Sequence, residues 1–309
     1  MIQVNQLSKT YKGGAEAVKG IDFDVAPGEV FGLLGPNGAG KSTTIGMLTT
    51  TITPTSGSAW VAGFDVATNP IAARRASGVV FQDAVVDRAL SGRKNLEIHA
   101  RLWGVPGAAA RARIEEAVSR FSLGGVIDRM VSSYSGGQRR RLEIARSLLA
   151  RPAVLFLDEP TVGLDPRIRY ELFDVIAGLR GEGQMTVLLT THYLDEAERL
   201  CDRVAVMHMG RIVAMDTPAA LLSALGREIL ELRVQGDAED AIRILRERRI
   251  ATESAFAVGS TVTVPLHNVS ASKAIVAVTE LGLNTSAISS RPPTLDDVYL
   301  RLTGESLAA

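Results

Sequence analysis

The pattern of apolar and polar positions changes character along the 309-residue chain. Compact apolar runs, such as Val30–Leu34 and Val154–Leu157, are typical of short strands buried on both faces of a parallel sheet. From residue 87 the pattern becomes helical, with predicted helices at 97–103 and 108–121 separated by glycine and proline. Further short strands are predicted at Ile2–Val4, Ala17–Val18, Ile21–Val25 and Ser58–Val61. We therefore expect an α/β fold, with a mixed sheet around a parallel core and an inserted helical subdomain at about residues 87–150.

A second pattern begins after Gly226, where alternating and charge-rich segments replace the compact apolar runs. Residues Glu228–Val234 alternate apolar and polar side chains, as a half-buried strand does. The other predicted elements are, in order, a helix at 237–249, two strands within 255–266, a helix at 270–281, a strand at 285–290 and a helix ending at Gly304. This order predicts a small α+β domain. We therefore place two domains at residues 1–225 and 226–309.

The segment that follows Val30–Leu34 matches the phosphate-binding pattern G-x-x-x-x-G-K-[ST] at every fixed position. Its glycines let backbone N–H groups turn toward phosphate oxygens, and the positive end of the following helix points at the same anion. Lys41 can reach the β- and γ-phosphates, and Ser42 can hold Mg²⁺. We therefore expect a nucleotide to bind at nine consecutive residues. They are Gly35, Pro36, Asn37, Gly38, Ala39, Gly40, Lys41, Ser42 and Thr43.

Polar residues stand at the ends of other predicted strands, where open α/β sheets bind their ligands. Asp158 and Glu159 follow the second apolar run named above. Because neighbours in a strand point to opposite faces, we expect these two carboxylates to have different roles. Gln82 and His192 each follow another predicted strand. A single glutamine or histidine has ordinary structural explanations, so these two residues are candidates by position alone.

A Ser-Gly-Gly-Gln stretch at residues 135–138 opens a helix that is predicted over Gln138–Ala150. Serine and glycine at a helix N-terminus form an anion site from backbone N–H groups. Three arginines at 139–141 crowd the first turn of this helix, where cations oppose the helix dipole. A nearby anionic partner would relieve that repulsion, and solvation of the three side chains is the simpler explanation.

The composition of the chain bears on its partners, its cellular compartment and the source of any metal. The 34 basic and 34 acidic residues leave a formal net charge of zero, which gives no indication of nucleic acid as a partner. One cysteine, Cys201, allows no intrachain disulfide and agrees with a reducing cytoplasm. The four histidines are scattered, so we expect Mg²⁺ to arrive with the nucleotide rather than in a protein cluster. No apolar run approaches the ~18–20 residues of a membrane span.

The phosphate loop, the Ser-Gly-Gly-Gln stretch and the acidic strand end, in this order, resemble the ATP-binding-cassette (ABC) ATPases across the first predicted domain. The resemblance implies that Glu159 is the general base for the attacking water and that His192 contacts the γ-phosphate. It assigns Asp158 to Mg²⁺ together with Ser42, and it gives Gln82 a part in both metal binding and catalysis. The remaining implied ATP contacts are Tyr11, stacked on adenine, and, for ATP held by a second copy of the chain, Ser135, Gly136, Gly137, Gln138 and Asp165.

The tail, and residues 291–304 in particular, resembles the daunorubicin-resistance type of drug-exporter ATPase. That resemblance implies an ATP-hydrolysing subunit that works as a homodimer on the cytoplasmic face of the membrane. A separate membrane permease would carry the substrate, a hydrophobic drug- or antibiotic-like molecule. Two alternatives stay open: a single-cassette ABC ATPase outside transport, as in Fe–S assembly, and a sequestering protein without turnover. One phosphate loop and one Ser-Gly-Gly-Gln stretch argue against a twin-cassette protein.

Overall fold

The computed structural model describes residues 1–179, 185–267 and 269–305. The chain divides into two compact units, Met1–Ile212 and Val213–Ala309. The strands are β1 (Ile2–Thr10), β2 (Glu16–Val25), β3 (Val30–Leu34), β4 (Ser56–Val61), β5 (Phe64–Asp65), β6 (Ser77–Val80), β7 (Val154–Asp158), β8 (Thr186–Thr191), β9 (Arg203–His208), β10 (Arg211–Asp216), β11 (Glu228–Val234), β12 (Phe256–Val258), β13 (Thr261–Leu266) and β14 (Thr285–Arg291). The helices are α1 (Lys41–Leu48), α2 (Pro70–Arg75), α3 (Gly92–Leu102), α4 (Gly107–Arg120), α5 (Gly136–Leu148), α6 (Pro166–Gly178), α7 (Leu194–Leu200), α8 (Pro218–Ser223), α9 (Ala238–Glu247), α10 (Ala271–Glu280) and α11 (Leu295–Thr303), with a 3₁₀ turn at Val131–Ser133.

A six-stranded sheet in the order β10-β9-β3-β8-β7-β6 forms the core of the first unit. Strand β3 pairs in parallel with β8 and β9, and β7 pairs in parallel with β6 and β8. Every residue of β3, β7 and β8 is buried, as their compact apolar runs predict. The register places Leu34 beside Thr191 and Asp158 beside Thr190. The phosphate loop, the acidic pair and the histidine segment therefore leave the sheet at the same edge.

The strands of the N-terminal segment form a separate antiparallel sheet in the order β2-β1-β4-β5, rather than flanking the parallel core in one sheet. The two strands predicted at 17–18 and 21–25 are one strand, β2. Gly20 interrupts its pairing with β1, because the register skips from Lys19 to Ile21. Gly20 has a φ of 67°, which glycine adopts at little cost. The predicted break is therefore a β-bulge inside one strand.

Two of the predicted helices begin earlier than their apolar spacing indicates, because a serine caps each of them. Helix α3 starts at Gly92, where the Ser91 side chain accepts a hydrogen bond from the Lys94 N–H at 3.2 Å. Helix α5 starts at Gly136 under a capping box made by Ser135 and Gln138. N-cap serines satisfy backbone donors that have no partner inside the helix. The caps therefore set the first residue of each helix.

The second unit contains the predicted order strand–helix–strand–strand–helix–strand–helix, built on an antiparallel sheet in the order β12-β13-β11-β14. Its apolar core lies between this sheet and the inward faces of α9 and α10. Arg291 ends β14 and donates from both terminal nitrogens to the Asp297 carboxylate at 2.7 Å. Asp297 also accepts from the Thr294 N–H at 2.8 Å and so caps α11. The tail motif therefore holds the last helix to the last strand.

The boundary between the two compact units, at residues 212/213, lies before the predicted domain boundary at 225/226. Helix α8 packs against α11, and the Arg301 guanidinium donates to the Ala224 carbonyl at 3.3 Å. These contacts group residues 213–225 with the second unit. Whether a chain cut at 225/226 folds stays a prediction. Among the described residues, no helix is long and apolar enough to cross a membrane.

Candidate functional site

The phosphate loop connects the end of β3 to the start of α1. Gly38 and Gly40 have φ angles of 82° and 104°, a left-handed conformation that side chains rarely adopt. A Cβ atom on Gly40 would lie 2.5 Å from the Ala17 carbonyl oxygen, so the loop has no room for one there. The Lys41 Nζ folds back over the loop and donates to the carbonyls of Gly35 and Pro36 at 2.7 and 3.0 Å. This arrangement gives the curved backbone that a phosphate group needs.

The carboxylates of Asp158, the last residue of β7, and of Glu159, the next residue, both contact the residues that begin α1. An Asp158 Oδ1 oxygen accepts from the Ser42 hydroxyl at 3.1 Å and from the Thr190 hydroxyl at 2.5 Å. Glu159 Oε1 lies 3.1 Å from the Lys41 Nζ, and both side chains are buried. The expectation that the two carboxylates point to opposite faces is wrong here. Strand alternation stops at Asp158, where β7 ends, and the backbone turns at the next residue.

That turn is an unusual backbone conformation. Glu159 has a φ of 44°, in the left-handed region that non-glycine residues adopt at a cost of about 1–3 kcal/mol. Its N–H donates to the Thr190 hydroxyl at 2.9 Å, so a β8 side chain fixes the turn from one side. Such strain persists only where the surrounding structure determines it. The carboxylate of Glu159 is therefore held in a defined place rather than free at a strand end.

The residues beside the loop form a cavity of 390 Å³. Its lining consists of Ala17, Asn37, Gly38, Gly40, Lys41, Ser42, Thr43, Gln82 and Glu159. His192 Nδ1 lies 3.4 Å from Glu159 Oε1 and makes no hydrogen bond within the described residues. The Tyr11 hydroxyl lies 3.3 Å from the Thr43 hydroxyl, and the tyrosine side chain is exposed. The structure thus brings Gln82, His192 and Tyr11 to the phosphate loop.

The Ser-Gly-Gly-Gln stretch and Asp165 do not line this cavity. Ser135 accepts from the Gln138 N–H at 3.2 Å, and the Gln138 side chain accepts from the Ser135 N–H at 2.9 Å. A Cβ atom on Gly137 would collide with Ile168 of α6, so glycine is required there by packing in the same chain. Asp165 caps α6 by accepting from the Ile168 N–H at 3.1 Å. Within one chain these residues organise two helix starts and do not line the loop's own cavity.

Sequence reasoning missed several residues around the site. Arg140 is 7% exposed, so solvation of its side chain is the wrong explanation. The signal that could have found it is the opposite charge of Glu143 three residues later on the same helix face. Thr190 links both carboxylate residues, and only the strand register reveals this. Glu196 is also buried, next to Thr161, and burial raises the pKa of its carboxyl to about 7.

The residues at the loop fit a magnesium nucleotide. Among the described residues, no group of three or more His, Cys, Asp or Glu side chains could hold a metal by itself. The Ser42 hydroxyl and the Asp158 carboxylate instead offer adjacent hard oxygen ligands beside the phosphate cradle. Mg²⁺ prefers such a site, with one or two protein oxygens and the remaining ligands from phosphate and water.

Comparisons with known proteins agree with this arrangement. The sequence matches the ABC transporter family model over residues 18–162. It is 43% identical, over 98% of this chain and 92% of the relative, to the daunorubicin/doxorubicin resistance ATP-binding protein DrrA of Streptomyces peucetius. It is 36% identical, over 99% of this chain and 98% of the relative, to the Nod factor export ATP-binding protein I of Paraburkholderia xenovorans. A dimeric ATP-binding cassette solved in a post-hydrolysis state with ADP and Pi covers 70% of this chain and 98% of its own, with a TM-score of 0.63 and 25% identity.

Proposed function

Because the chain belongs to the ABC transporter family of ATP-binding proteins, we propose that it is the subunit that hydrolyses ATP to drive export through a separate membrane protein. One observation carries this proposal. The Glu159 carboxylate lies in the same cavity as the Lys41 ammonium and the phosphate loop, with His192 beside it. A carboxylate next to a phosphate cradle can orient and deprotonate an attacking water.

ATP binds through the loop, and its contacts come in two sets, of which the chain that carries the loop supplies the first. The loop N–H groups and Lys41 hold the β- and γ-phosphates, and Tyr11 stacks on the adenine. Ser42, Asp158 and Gln82 would hold Mg²⁺, which would neutralise charge on the phosphate oxygens. An arriving γ-phosphate competes with the Glu159 carboxylate for Lys41, because both groups are anions. Binding of ATP thereby releases Glu159 toward the water it activates, and His192 contacts the γ-phosphate.

The second set of contacts comes from a second copy of the chain. Ser135 and Gln138 form the N-terminus of α5, where backbone N–H groups favour an anion. These residues lie outside the cavity of their own chain, which supports a role at the ATP of the partner. Gly136, Gly137 and Asp165 complete that face. Two chains would then enclose two ATP molecules, as a homodimer with composite sites.

The proposed partner is a permease that spans the membrane, with this chain bound to its cytoplasmic side. Support comes from the name of the Nod factor relative, which is an export ATP-binding protein, and from the resistance named for the daunorubicin relative. The zero net charge gives no support to nucleic acid as a partner. Similarity to a drug-resistance protein along nearly the whole chain, tail included, points to a hydrophobic antibiotic-like substrate. The same similarity disfavours both an ATPase of Fe–S assembly and a sequestering protein.

The test uses the purified full chain and a Lys41→Ala control. We expect Mg²⁺-dependent phosphate release from ATP by the wild type and none by the control, since the control loses the cation that holds the phosphates. Export is tested by sequencing the genes next to this one, expressing the chain together with any membrane protein that they encode, and measuring accumulation of a panel of hydrophobic antibiotics in cells. Lower accumulation that depends on Lys41 is expected. Phosphate release without any Lys41-dependent change in accumulation would contradict the transport part alone.

A further inference from the structure

A buried arginine joins helix α5 to the turn that carries Glu159. The Arg140 Nε donates to the Pro160 carbonyl at 2.7 Å. Its Nη2 donates to the carbonyls of Asp158 and Glu159 at 3.0 and 3.1 Å. Three consecutive backbone carbonyls at the end of β7 are therefore held by one guanidinium. Opposite Thr190, which holds the N–H side of the same turn, Arg140 holds its carbonyl side.

The same side chain reaches the segment that contains Gln82. The Arg140 Nη1 donates to the Phe81 carbonyl at 2.5 Å and to the Glu143 carboxylate at 3.1 Å. The other oxygen of Glu143 accepts from the Val85 N–H at 2.8 Å. Arg140 and Glu143 thus hold the residues on both sides of Gln82–Ala84. All five N–H groups of the guanidinium have an acceptor, and no other side chain has five donors in a planar fork.

We propose that Arg140 is a positioning residue for ATP hydrolysis, which rests on the function proposed above. It fixes the strained turn at Glu159 and the Gln82 segment relative to each other. Because Arg140 lies just after the first turn of α5, close in sequence to Ser135–Gln138, it also makes the placement of Glu159 depend on the placement of that helix start. A partner's ATP that moves α5 would therefore move the general base of the same chain.

The expected size of the effect follows from the geometry. A catalytic group displaced by about 1 Å loses roughly 10²-fold in rate. Arg140→Lys keeps the charge but places three donors on a single nitrogen, which cannot span the Phe81, Glu159 and Pro160 carbonyls together. We expect kcat to fall by about 10- to 100-fold. ATP affinity should stay within about threefold, because Lys41 and the loop hold the phosphates without Arg140.

The experiment measures kcat for phosphate release, Kd for a fluorescent ATP analogue and the melting temperature, for Arg140→Lys and Arg140→Gln. The matched control is Arg139→Gln, one position earlier, whose guanidinium donates to the Tyr134 carbonyl at 2.9 Å and contacts neither the Glu159 turn nor the Gln82 segment among the hydrogen bonds of the described residues. The control should keep kcat and Kd within about threefold of the wild type. If neither Arg140 variant melts cooperatively, Glu143→Gln takes their place, because it removes only the negative charge that pairs with Arg140 and keeps the size of the side chain. We then expect the same result for Glu143→Gln, namely a lower kcat with a nearly unchanged Kd.

The result that overturns the proposal is a folded Arg140→Lys protein whose kcat matches that of Arg139→Gln. A lower melting temperature with unchanged kcat well below the melting range would also overturn it, because it would make Arg140 purely structural. Parallel losses of kcat and ATP affinity would overturn it as well, since a positioning role predicts a split. If the wild type releases no phosphate at all, the proposed function fails and this proposal fails with it, which is a different outcome from the other three.

Discussion

Replacing Glu159 with glutamine tests both the chemistry and the resting state of the site. The wild-type carboxylate lies 3.1 Å from the Lys41 Nζ, and the two side chains are 5% and 3% exposed. The substitution keeps the shape of the side chain and removes its charge. It therefore removes the proposed general base, and it weakens the contact between this side chain and Lys41 that precedes ATP binding in the proposed mechanism.

The two effects have different expected sizes. General-base catalysis contributes about 10²–10⁴-fold, so kcat should fall at least about 100-fold. Glutamine turns the ion pair with Lys41 into a bond between the ammonium and a neutral amide, and we take the loss as about 1–1.5 kcal/mol, the order by which one charged partner strengthens a hydrogen bond. A loss of about 1–1.5 kcal/mol corresponds to ATP binding that is about five- to tenfold tighter, since 1.4 kcal/mol is tenfold in affinity. ATP-bound dimers should therefore accumulate.

The assay combines phosphate release, titration with a fluorescent ATP analogue, and size-exclusion chromatography with Mg²⁺ and ATP. Glu253→Gln is the matched control, because the Glu253 side chain is 94% exposed and lies in the second unit. It should leave kcat and Kd within about twofold of the wild type. A Glu159→Gln protein that keeps more than about a tenth of wild-type kcat would remove Glu159 from the role of base. Weaker ATP binding by that variant would refute the competition for Lys41.

Three further predictions concern the partner face, the tail and pH. Ser135→Asp keeps an acceptor for the helix cap but brings a negative charge toward the partner's ATP, so the homodimer should lose hydrolysis. Mixing this variant with Lys41→Ala chains should restore one composite site per mixed dimer. ATPase activity of the mixture no higher than the sum of the separate variants would contradict composite sites shared between two chains. Removal of residues 226–309 should leave a chain whose melting temperature still rises with Mg-ATP, and an insoluble or unresponsive product would place the boundary elsewhere. Burial raises the pKa of the Glu196 carboxyl from its ordinary 4.5 to about 7. Between these two pH values the folded state keeps a proton that the unfolded chain has lost. The free energy of unfolding should therefore fall as pH rises from 4.5 to 7 and stay lower above pH 7. Glu196→Gln should therefore raise the melting temperature at pH 8 more than at pH 5, and an equal change at both values would contradict the assignment.

Much of the fold could be predicted from local patterns because those patterns act over short distances. The apolar runs of β3 and β7 predict buried parallel strands, since both faces of such strands must be covered. The tail elements β11 to α11 follow from alternation and helix spacing, and the structure confirms their order. The prediction of a single mixed sheet failed because it depends on pairing between distant segments. Whether the N-terminal strands join the parallel core or form their own sheet is decided by which edges pair, and no local spacing encodes this.

The order and spacing of residues along the chain specify which side chains are available for the proposed chemistry. The spacing of Gly35 to Thr43 and the Ser-Gly-Gly-Gln stretch carry that information, because a phosphate cradle and a helix-start anion site are made by consecutive residues. How those groups are held depends on contacts between elements that are far apart in the sequence. Lys41 and Glu159 meet because β3, β8 and β7 lie side by side with their ends in register. Arg140 is buried rather than solvated because three carbonyls and the Gln82 segment converge on it from separate elements, and such a convergence exists only once the chain has folded.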